Sequence, residues 1–120
     1  MILYIHGKGG SAGEAEHYRA LFPGENVLGL DYSAQTPWEA KAEFPALFDS
    51  VCGENADVTL IANSIGAYYA MCSLPEKQIA RAFFISPIMT IRWRKAKKLF
   101  AARLCRAAKQ HSCLAIYSFQ

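Results

Sequence analysis

Acidic residues are missing from the last part of this 120-residue sequence, since neither aspartate nor glutamate follows Glu76. Long hydrophobic runs are also absent, and no apolar stretch approaches the roughly 20 residues of a membrane-spanning helix. The four cysteines have no C-x-x-C spacing, which excludes the common zinc and dithiol redox motifs. No segment matches the phosphate-binding pattern G-x-x-x-x-G-K followed by Ser or Thr. These absences leave a globular domain without a zinc, dithiol or P-loop motif.

Charge divides the sequence into two parts. Residues 1–89 contain five basic and ten acidic residues, whereas residues 90–120 contain eight basic residues and no acidic ones. The net charges are therefore −5 and +8, although the whole chain has a net charge of only +3. We interpret residues 1–89 as the core and residues 90–120 as a basic helical tail of the same domain.

Composition predicts one cytoplasmic domain with a substantial core. Hydrophobic residues make up 52% of the chain, and a chain of this length buries roughly two thirds of its surface on folding. No charged region or cleavage site precedes the first apolar run, so we expect no signal peptide. Free thiols are expected for the cysteines in that compartment. Cys105, His111 and Cys113 are too scattered to predict a metal site, and we expect no metal and no cofactor.

Short apolar runs alternate with helix-compatible stretches, which predicts βα units and a mainly parallel sheet with helices on both faces. The fold class is therefore α/β and doubly wound. Four strands and a candidate fifth are predicted at Ile2–Ile5, Val27–Leu30, Asp57–Ala62, Ala82–Ser86 and Cys113–Phe119. Helices are predicted at Glu14–Leu21, Pro37–Cys52 and Ile65–Leu74. Thr36 should cap the second helix, and Pro45 should kink or break it.

A serine stands where the third predicted strand meets the following helix. The apolar run Val58–Ile61 leads into Ser64, which is flanked by small residues. Sharp strand-to-helix turns of the pattern G-x-S-x-G lift a serine hydroxyl clear of the sheet. Ala62 replaces the first glycine of this pattern, and Gly66 supplies the second. The alternative is an ordinary strand end followed by a helix whose N-cap is Ser64.

A glycine-rich loop follows the first predicted strand. The run His6-Gly7-Lys8-Gly9-Gly10-Ser11 comes directly after an apolar stretch. Glycines at a strand end let backbone N–H groups point into a crevice. In a serine hydrolase, one such N–H joins the N–H of the residue after the nucleophile to form an oxyanion hole. Here the two donors would be Lys8 and Ile65.

Together, in this order, the two motifs resemble the N-terminal half of the α/β-hydrolase fold, in particular small bacterial esterase-like members with an HGxGGS opening and an ANSIGAY-type elbow. The resemblance extends from residue 1 to about residue 89. It implies the strand order 2-1-3-4, a crevice at the carboxyl ends of strands 1 and 3, and attack by Ser64 on a small acyl ester. It also places His6, Gly7, Gly9 and Asp31 beside the substrate.

The general base and the acid of a catalytic triad are not evident. A serine nucleophile needs a base, usually a histidine oriented by a carboxylate. After Ser64 the sequence contains one histidine, His111, and one carboxylate, Glu76. We take His111 as the candidate base and expect Glu76 to be a surface residue. The sequence therefore predicts a weak or inactive serine hydrolase.

Residues 90–120 depart from the family pattern, and they have more than one interpretation. They fit a truncated or frame-shifted product, but they also fit a native amphipathic basic helix. Such a helix would contact an anionic surface or an acidic partner, or would simply cover the sheet. Its apolar residues recur at helical spacing and are Trp93, Ala96, Phe100, Leu104 and Ala107.

The sequence is also compatible with two other functions. The segment Gly7–Ala12 fits G-x-G-x-x-A after a strand, and Asp31 ends the next strand about 20 residues later, as in a nucleotide-binding Rossmann-like module. The second is a non-catalytic protein that binds through residues 90–120. Eight positive charges suit phosphates, but no nucleic-acid recognition motif accompanies them, so no specific nucleic-acid partner is predicted. The sequence predicts no oligomeric state.

Overall fold

Five parallel strands form one sheet in the computed structural model, which describes residues 1–88 and 116–118. The strands are β1 (Ile2–Ile5), β2 (Val27–Gly29), β3 (Thr59–Asn63), β4 (Arg81–Ile85) and β5 (Ile116–Ser118). Their order across the sheet is β2-β1-β3-β4-β5, and each neighbouring pair is parallel. The predicted order 2-1-3-4 is confirmed, and β5 lies within the run predicted as a fifth strand.

Helical segments cover both faces of this sheet. They are a 3-10 turn (Ala12–Ala15), α1 (Glu16–Arg19), α2 (Pro37–Cys52) and α3 (Ser64–Ser73). The 3-10 turn buries Ala15 in a small core on one face. On the other face α2 and α3 pack against each other and against the larger core. The predicted α/β doubly wound class is confirmed.

Successive residues of β1 alternate between the two cores. Leu3 and Ile5 belong to the larger core, and Ile2 and Tyr4 belong to the smaller one. All four side chains are buried. A parallel strand that is covered on both faces is expected to be a continuous apolar run, as this one is.

The start of α2 is fixed by a capping box. The Thr36 hydroxyl accepts a hydrogen bond from the Glu39 backbone N–H at 3.2 Å, and the Glu39 carboxylate accepts one from the Thr36 N–H at 3.1 Å. Pro37 occupies the first turn of the helix, where its missing N–H has no partner to lose. The predicted start at Thr36-Pro37 is therefore confirmed.

Pro45, predicted to kink or break this helix, does not break it, since α2 continues as one helix from Pro37 to Cys52. A proline inside a helix removes one hydrogen bond and costs about 3 kcal/mol. Buried side chains on both sides of Pro45 hold the two halves against the same core. These anchors recur every four residues and are Ala40, Phe44, Phe48 and Cys52.

The first helix is shorter and less regular than predicted. Instead of one helix over Glu14–Leu21, a 3-10 turn at Ala12–Ala15 leads into the four-residue α1. Ser11 precedes the turn but makes no side-chain capping bond. Gly13 also lowers helix propensity at this point. The ends of β2, β3 and β4 differ from the predicted ends by one or two residues.

The predicted basic helix of the tail lies outside the described residues. Within residues 1–88 and 116–118, no helix is long and apolar enough to cross a membrane. The same part of the chain contains no group of three histidine, cysteine, aspartate or glutamate side chains placed to hold a metal ion.

Two aromatic residues of α2 give a test of the core. Phe44 is fully buried, whereas Trp38 on the same helix is 76% exposed. We expect Phe44→Ala to lower the free energy of unfolding by about 3–5 kcal/mol, because it leaves a cavity in the larger core. Trp38→Ala should change it by less than about 0.5 kcal/mol. Urea denaturation followed by circular dichroism measures both, and equal losses would contradict this packing.

Candidate functional site

The two loops singled out in the sequence meet at the carboxyl edge of the sheet. β1 and β3 are neighbours, with Ile5 paired to Ala62. The glycine loop that leaves β1 therefore emerges beside the segment that leaves β3 and carries Ser64. A Cβ atom placed on Gly7 would lie 3.1 Å from the Cβ atom of Ser64. The two loops are thus in direct contact.

Ser64 occupies a strained turn and not the N-cap of the following helix. The N-cap of α3 is Asn63, which is extended with a φ of −112° and makes no side-chain capping bond. Ser64 has a φ of +53°, in a region that costs a non-glycine residue roughly 1–2 kcal/mol. Among the described residues, Ser86 is the only other non-glycine residue with a positive φ. This conformation is typical of a nucleophile elbow and excludes the N-cap alternative.

Gly66 explains why the elbow needs a small residue at its second glycine position. A Cβ atom at this position would collide with the backbone carbonyl oxygen of His6. The first turn of α3 therefore lies directly against the end of β1. Ala62, at the first position of the pattern, is fully buried. A side chain larger than alanine would have no space there without displacing its neighbours.

The glycine loop closes through the carbonyl oxygen of Gly7. This oxygen accepts a hydrogen bond from the Gly10 N–H at 3.1 Å and lies 2.8 Å from the His6 Nδ1 atom. Because a carbonyl oxygen only accepts, Nδ1 carries the proton of this bond. Gly9 has a φ of +75°, which glycine adopts without strain. The ring of His6 therefore holds the loop that carries the Lys8 N–H.

Tyr32 supports the same loop from the side, a role that sequence reasoning missed. Its ring stacks on His6 with centroids 4.2 Å apart and planes 13° apart. Its hydroxyl donates to the His6 carbonyl oxygen at 2.8 Å. Burial raises the pKa of Tyr32 to about 12, and the neighbouring Tyr69 adds to the shift. The only sequence signal was its position three residues after β2, at the carboxyl edge of the sheet.

A cavity of about 550 Å³ opens beside the two loops. Its volume is typical of a site for a small molecule. The lining is mostly apolar or aromatic, with backbone groups of the glycine loop on one side. The lining residues are His6, Gly7, Lys8, Gly9, Tyr32, Ala34, Gln35, Ile65 and Tyr69.

One wall of this cavity is held by a carboxylate of α2. Glu43 accepts hydrogen bonds from the N–H groups of Ser33 and Ala34 at 2.9 and 2.8 Å, and from the Ser33 hydroxyl at 3.0 Å. Glu39 accepts one from the Gln35 N–H at 2.7 Å. These bonds fix the backbone of the segment that carries two lining residues. Sequence reasoning missed this role, because both glutamates occur in an ordinary polar helix face.

Most of the site residues predicted from the sequence lie together at this cavity. Lys8, Ile65, His6, Gly7 and Gly9 line it. Ser64 precedes Ile65 and is partly exposed at the same edge.

The remaining predicted residues do not join this group. Asp31 is exposed and is not among the residues that line the cavity. Glu76 is exposed beyond the end of α3, on the way to β4, and so lies at the opposite edge of the sheet from Ser64. His111, the candidate base, lies outside the described residues.

The structure does not favour the nucleotide-binding alternative. A pyrophosphate site needs the N-terminus of a regular helix directly after the glycine loop. The segment after Gly10 is a 3-10 turn followed by the four-residue α1. Asp31, the candidate ribose ligand, has no place in the cavity lining.

Solved structures share this fold at low sequence identity. A haloalkane dehalogenase loop variant, DbeA-M1 from Bradyrhizobium elkanii, has a TM-score of 0.56 and 18% identity over 85% of this chain. AbyA5 in its wild-type form has a TM-score of 0.56 and 13% identity over 88% of this chain. The dehalogenase has the α/β-hydrolase fold. The likeness establishes the fold of the chain.

The chain spans 36% and 40% of the lengths of AbyA5 and the dehalogenase, respectively. No protein-family model matches the sequence, and no curated protein matches it. The chemistry of the site therefore has to be argued from its own residues.

Two glycines test the close approach of α3 to β1. Gly66→Ala should lower the free energy of unfolding by about 1–3 kcal/mol, because the added methyl group meets the His6 carbonyl oxygen. Gly13→Ala is the matched control, since its added methyl group meets only the Ser11 hydroxyl oxygen, at 3.5 Å. Thermal and urea denaturation compare the two variants. Equal stability of both variants would refute the contact.

Because burial raises the pKa of Tyr32, we expect the free energy of unfolding to depend on pH in the alkaline range. Its folded pKa of about 12 exceeds the usual value of about 10, so the unfolded chain loses the phenolic proton first. The contribution of Tyr32 to stability is complete below pH 10 and is lost as the pH rises towards 12. In Tyr32→Phe the free energy of unfolding should therefore fall less steeply over this range. Urea denaturation at stepped pH measures both slopes, and identical slopes would contradict the burial of this hydroxyl.

Proposed function

We propose that the chain is a serine hydrolase that acts on small acyl esters, with Ser64 as its nucleophile. The observation that carries this proposal is the strained backbone of Ser64, with a φ of +53°, at a strand-to-helix turn beside the cavity. A solved hydrolase of the same fold supports the general class. The ester substrate and the roles of individual residues are our inference from the geometry.

In the proposed reaction, the Ser64 hydroxyl oxygen attacks the carbonyl carbon of the ester. The backbone N–H groups of Lys8 and Ile65 stabilise the negative charge that develops on the carbonyl oxygen. The carbon–oxygen bond to the alcohol then breaks, and the alcohol leaves with the proton that the serine has lost. Water attacks the acyl-serine, releases the carboxylic acid and restores the hydroxyl of Ser64.

The acyl group would occupy the apolar side of the cavity. Tyr32, Ala34, Ile65 and Tyr69 form this side, and Glu43 fixes the backbone at Ala34. A rigid wall supports catalysis because correct placement of the carbonyl carbon removes much of the entropic cost of reaction. The volume of about 550 Å³ suits a short acyl chain or a small ring.

A base that accepts the Ser64 proton is the remaining requirement, and we propose His111 for it. His6 is less suited, because among the described residues it makes no hydrogen bond to Ser64, and its ring is stacked on Tyr32. His17 is exposed on α1. Without an effective base, an oxyanion hole and substrate binding together give only about 10³–10⁴ over the uncatalysed reaction.

Labelling by a fluorophosphonate probe tests the nucleophile directly. We expect the purified chain to be labelled and Ser64→Ala to be unlabelled, because the probe reacts with an activated serine hydroxyl. Ser86→Ala is the matched control, since Ser86 is the other non-glycine residue with a positive φ in the described part of the chain. It should keep its labelling. Turnover of p-nitrophenyl butyrate, measured in parallel, should follow the labelling.

The His111→Ala variant tests whether His111 is the base that accepts the Ser64 proton. Loss of both labelling and turnover, with an unchanged circular dichroism spectrum, would support His111 as the base. Labelling that persists in Ser64→Ala, or that is absent from the unaltered chain, would refute Ser64 as an activated nucleophile.

A further inference from the structure

Two polar side chains of the cavity have unused hydrogen-bonding capacity, although they are almost completely buried. His6 and Tyr69 both line the cavity, and they are only 7% and 4% exposed, respectively. Buried polar groups in proteins nearly always have a hydrogen-bond partner. Unused groups of this kind in a cavity therefore indicate the chemistry of the molecule that binds there.

The Nε2 atom of His6 is a hydrogen-bond acceptor. The Nδ1 atom carries a proton, because it lies 2.8 Å from the Gly7 carbonyl oxygen, which can only accept. In the neutral ring the other nitrogen, Nε2, then accepts, and it has no partner among the described residues. A ligand group that binds to this atom has to supply a donor.

The hydroxyl of Tyr69 supplies a donor. It forms no hydrogen bond to any described residue. Burial raises the pKa of Tyr69, and the charge of Glu39 and the neighbouring Tyr68 add to the shift. The hydroxyl therefore keeps its proton and can donate it to a ligand oxygen.

Both unused atoms face the cavity. Ser73 Oγ is the one fully enclosed side-chain polar atom without a partner in the described part of the chain, so the unused atoms of His6 and Tyr69 reach accessible space. Both rings contact Tyr32, with centroid distances of 4.2 Å to His6 and 6.1 Å to Tyr69. The Tyr32 hydroxyl itself donates to the His6 carbonyl oxygen. One aromatic wall therefore presents an acceptor and a donor to the same ligand.

The charges around this wall favour a neutral ligand group. Burial raises the pKa of Tyr32, and the charges of Glu14 and Glu43 add to this shift. The same carboxylates would repel an anion bound against the ring. Lys8 also lines the cavity, but its side chain is exposed, where water screens its charge. A hydroxyl is a neutral group that can donate to one partner and accept from another.

We propose that the preferred substrates are esters whose short acyl group carries a hydroxyl. This inference rests on the proposed function of Ser64. The substrate hydroxyl donates a hydrogen bond to His6 Nε2, and its oxygen accepts one from the Tyr69 hydroxyl. Such an acyl group satisfies two buried polar groups, whereas an apolar acyl group of the same shape leaves both without a partner.

The test compares the p-nitrophenyl esters of 3-hydroxybutyric acid and 3-methylbutyric acid, in which a methyl group replaces the hydroxyl at the same position. We expect kcat/KM to be roughly fivefold higher for the hydroxyacyl ester, because a hydrogen bond formed in exchange for water has a modest net effect. Tyr69→Phe should lower this ratio roughly threefold. Its free energy of unfolding should not fall, since the removed hydroxyl has no partner among the described residues.

Tyr18→Phe is the matched control for Tyr69→Phe. Tyr18 packs against the smaller core, on the other face of the sheet, and does not line the cavity. Its variant should keep the full preference for the hydroxyacyl ester. An equal fall of the ratio in both variants would contradict a specific role of Tyr69.

A binding experiment keeps this inference separate from the catalytic proposal. The p-nitroanilides of the same two acids resist cleavage, and equilibrium dialysis measures their binding to Ser64→Ala. Tighter binding of the hydroxyacyl anilide, weakened in a Ser64→Ala, Tyr69→Phe double variant, would support the hydroxyl site even if no ester is hydrolysed. Equal binding of the two anilides, or equal kcat/KM for the two esters, would overturn it and leave Ser64 as a hydrolase nucleophile.

His6 is best tested without a substitution, because its ring also holds the glycine loop. The NMR chemical shift of the Nε2 nitrogen reports hydrogen bonding at that atom. In Ser64→Ala the hydroxyacyl anilide should move this shift, and the 3-methylbutyryl anilide should leave it unchanged. A shift that the hydroxyacyl anilide does not move would refute His6 as the acceptor and, with it, the proposed recognition of the hydroxyl.

Discussion

The contact between the first turn of α3 and the end of β1 determines the geometry of the whole site. Gly66 has no side chain, so the elbow lies directly against the His6 carbonyl oxygen. The same oxygen accepts the Tyr32 hydroxyl at 2.8 Å, and the His6 ring closes the glycine loop through the Gly7 carbonyl oxygen. One residue at a strand end thus connects the elbow, the glycine loop and the cavity wall. A shift of α3 would disturb all three together, because close-packed groups transmit displacement.

Local sequence patterns were sufficient for the strands and the two loops, and the resemblance to the α/β-hydrolase fold supplied the strand order. A buried parallel strand is an apolar run, and a small-residue pattern around Ser64 follows from close backbone approach. The roles of Tyr32 and Glu43 were not predictable in this way. Tyr32 binds an atom 26 residues away, and Glu43 binds a loop nine to ten residues away. The unbroken helix at Pro45 was not predictable from local sequence either, because the tertiary packing of α2 outweighs its local propensity.

The distribution of carboxylates links the sequence asymmetry to the chemistry of the site. All ten acidic residues lie within the first 76 positions, and those near the cavity serve structural hydrogen bonds. Glu43 fixes a cavity wall and Glu14 holds Tyr4. Because these carboxylates make structural hydrogen bonds, Lys8 is the one residue with a charged side chain among the described residues that line the cavity. These carboxylates also act on the cavity walls, because burial raises the pKa of Tyr32 and of Tyr69, and the charges of Glu14 and Glu43 add to the first shift and that of Glu39 to the second.

The strain at Ser64 is the strongest argument that this site has a function. A serine that only capped a helix would adopt an extended backbone at no cost and would accept a hydrogen bond from the first turn. In this chain Asn63 takes the extended N-cap position, and Ser64 follows in the left-handed region with a φ of +53°. That conformation costs roughly 1–2 kcal/mol, and the Gly66 contact and the buried strand β3 maintain it. Strained residues of this kind cluster at functional sites, and this strain is the basis for proposing Ser64 as the nucleophile.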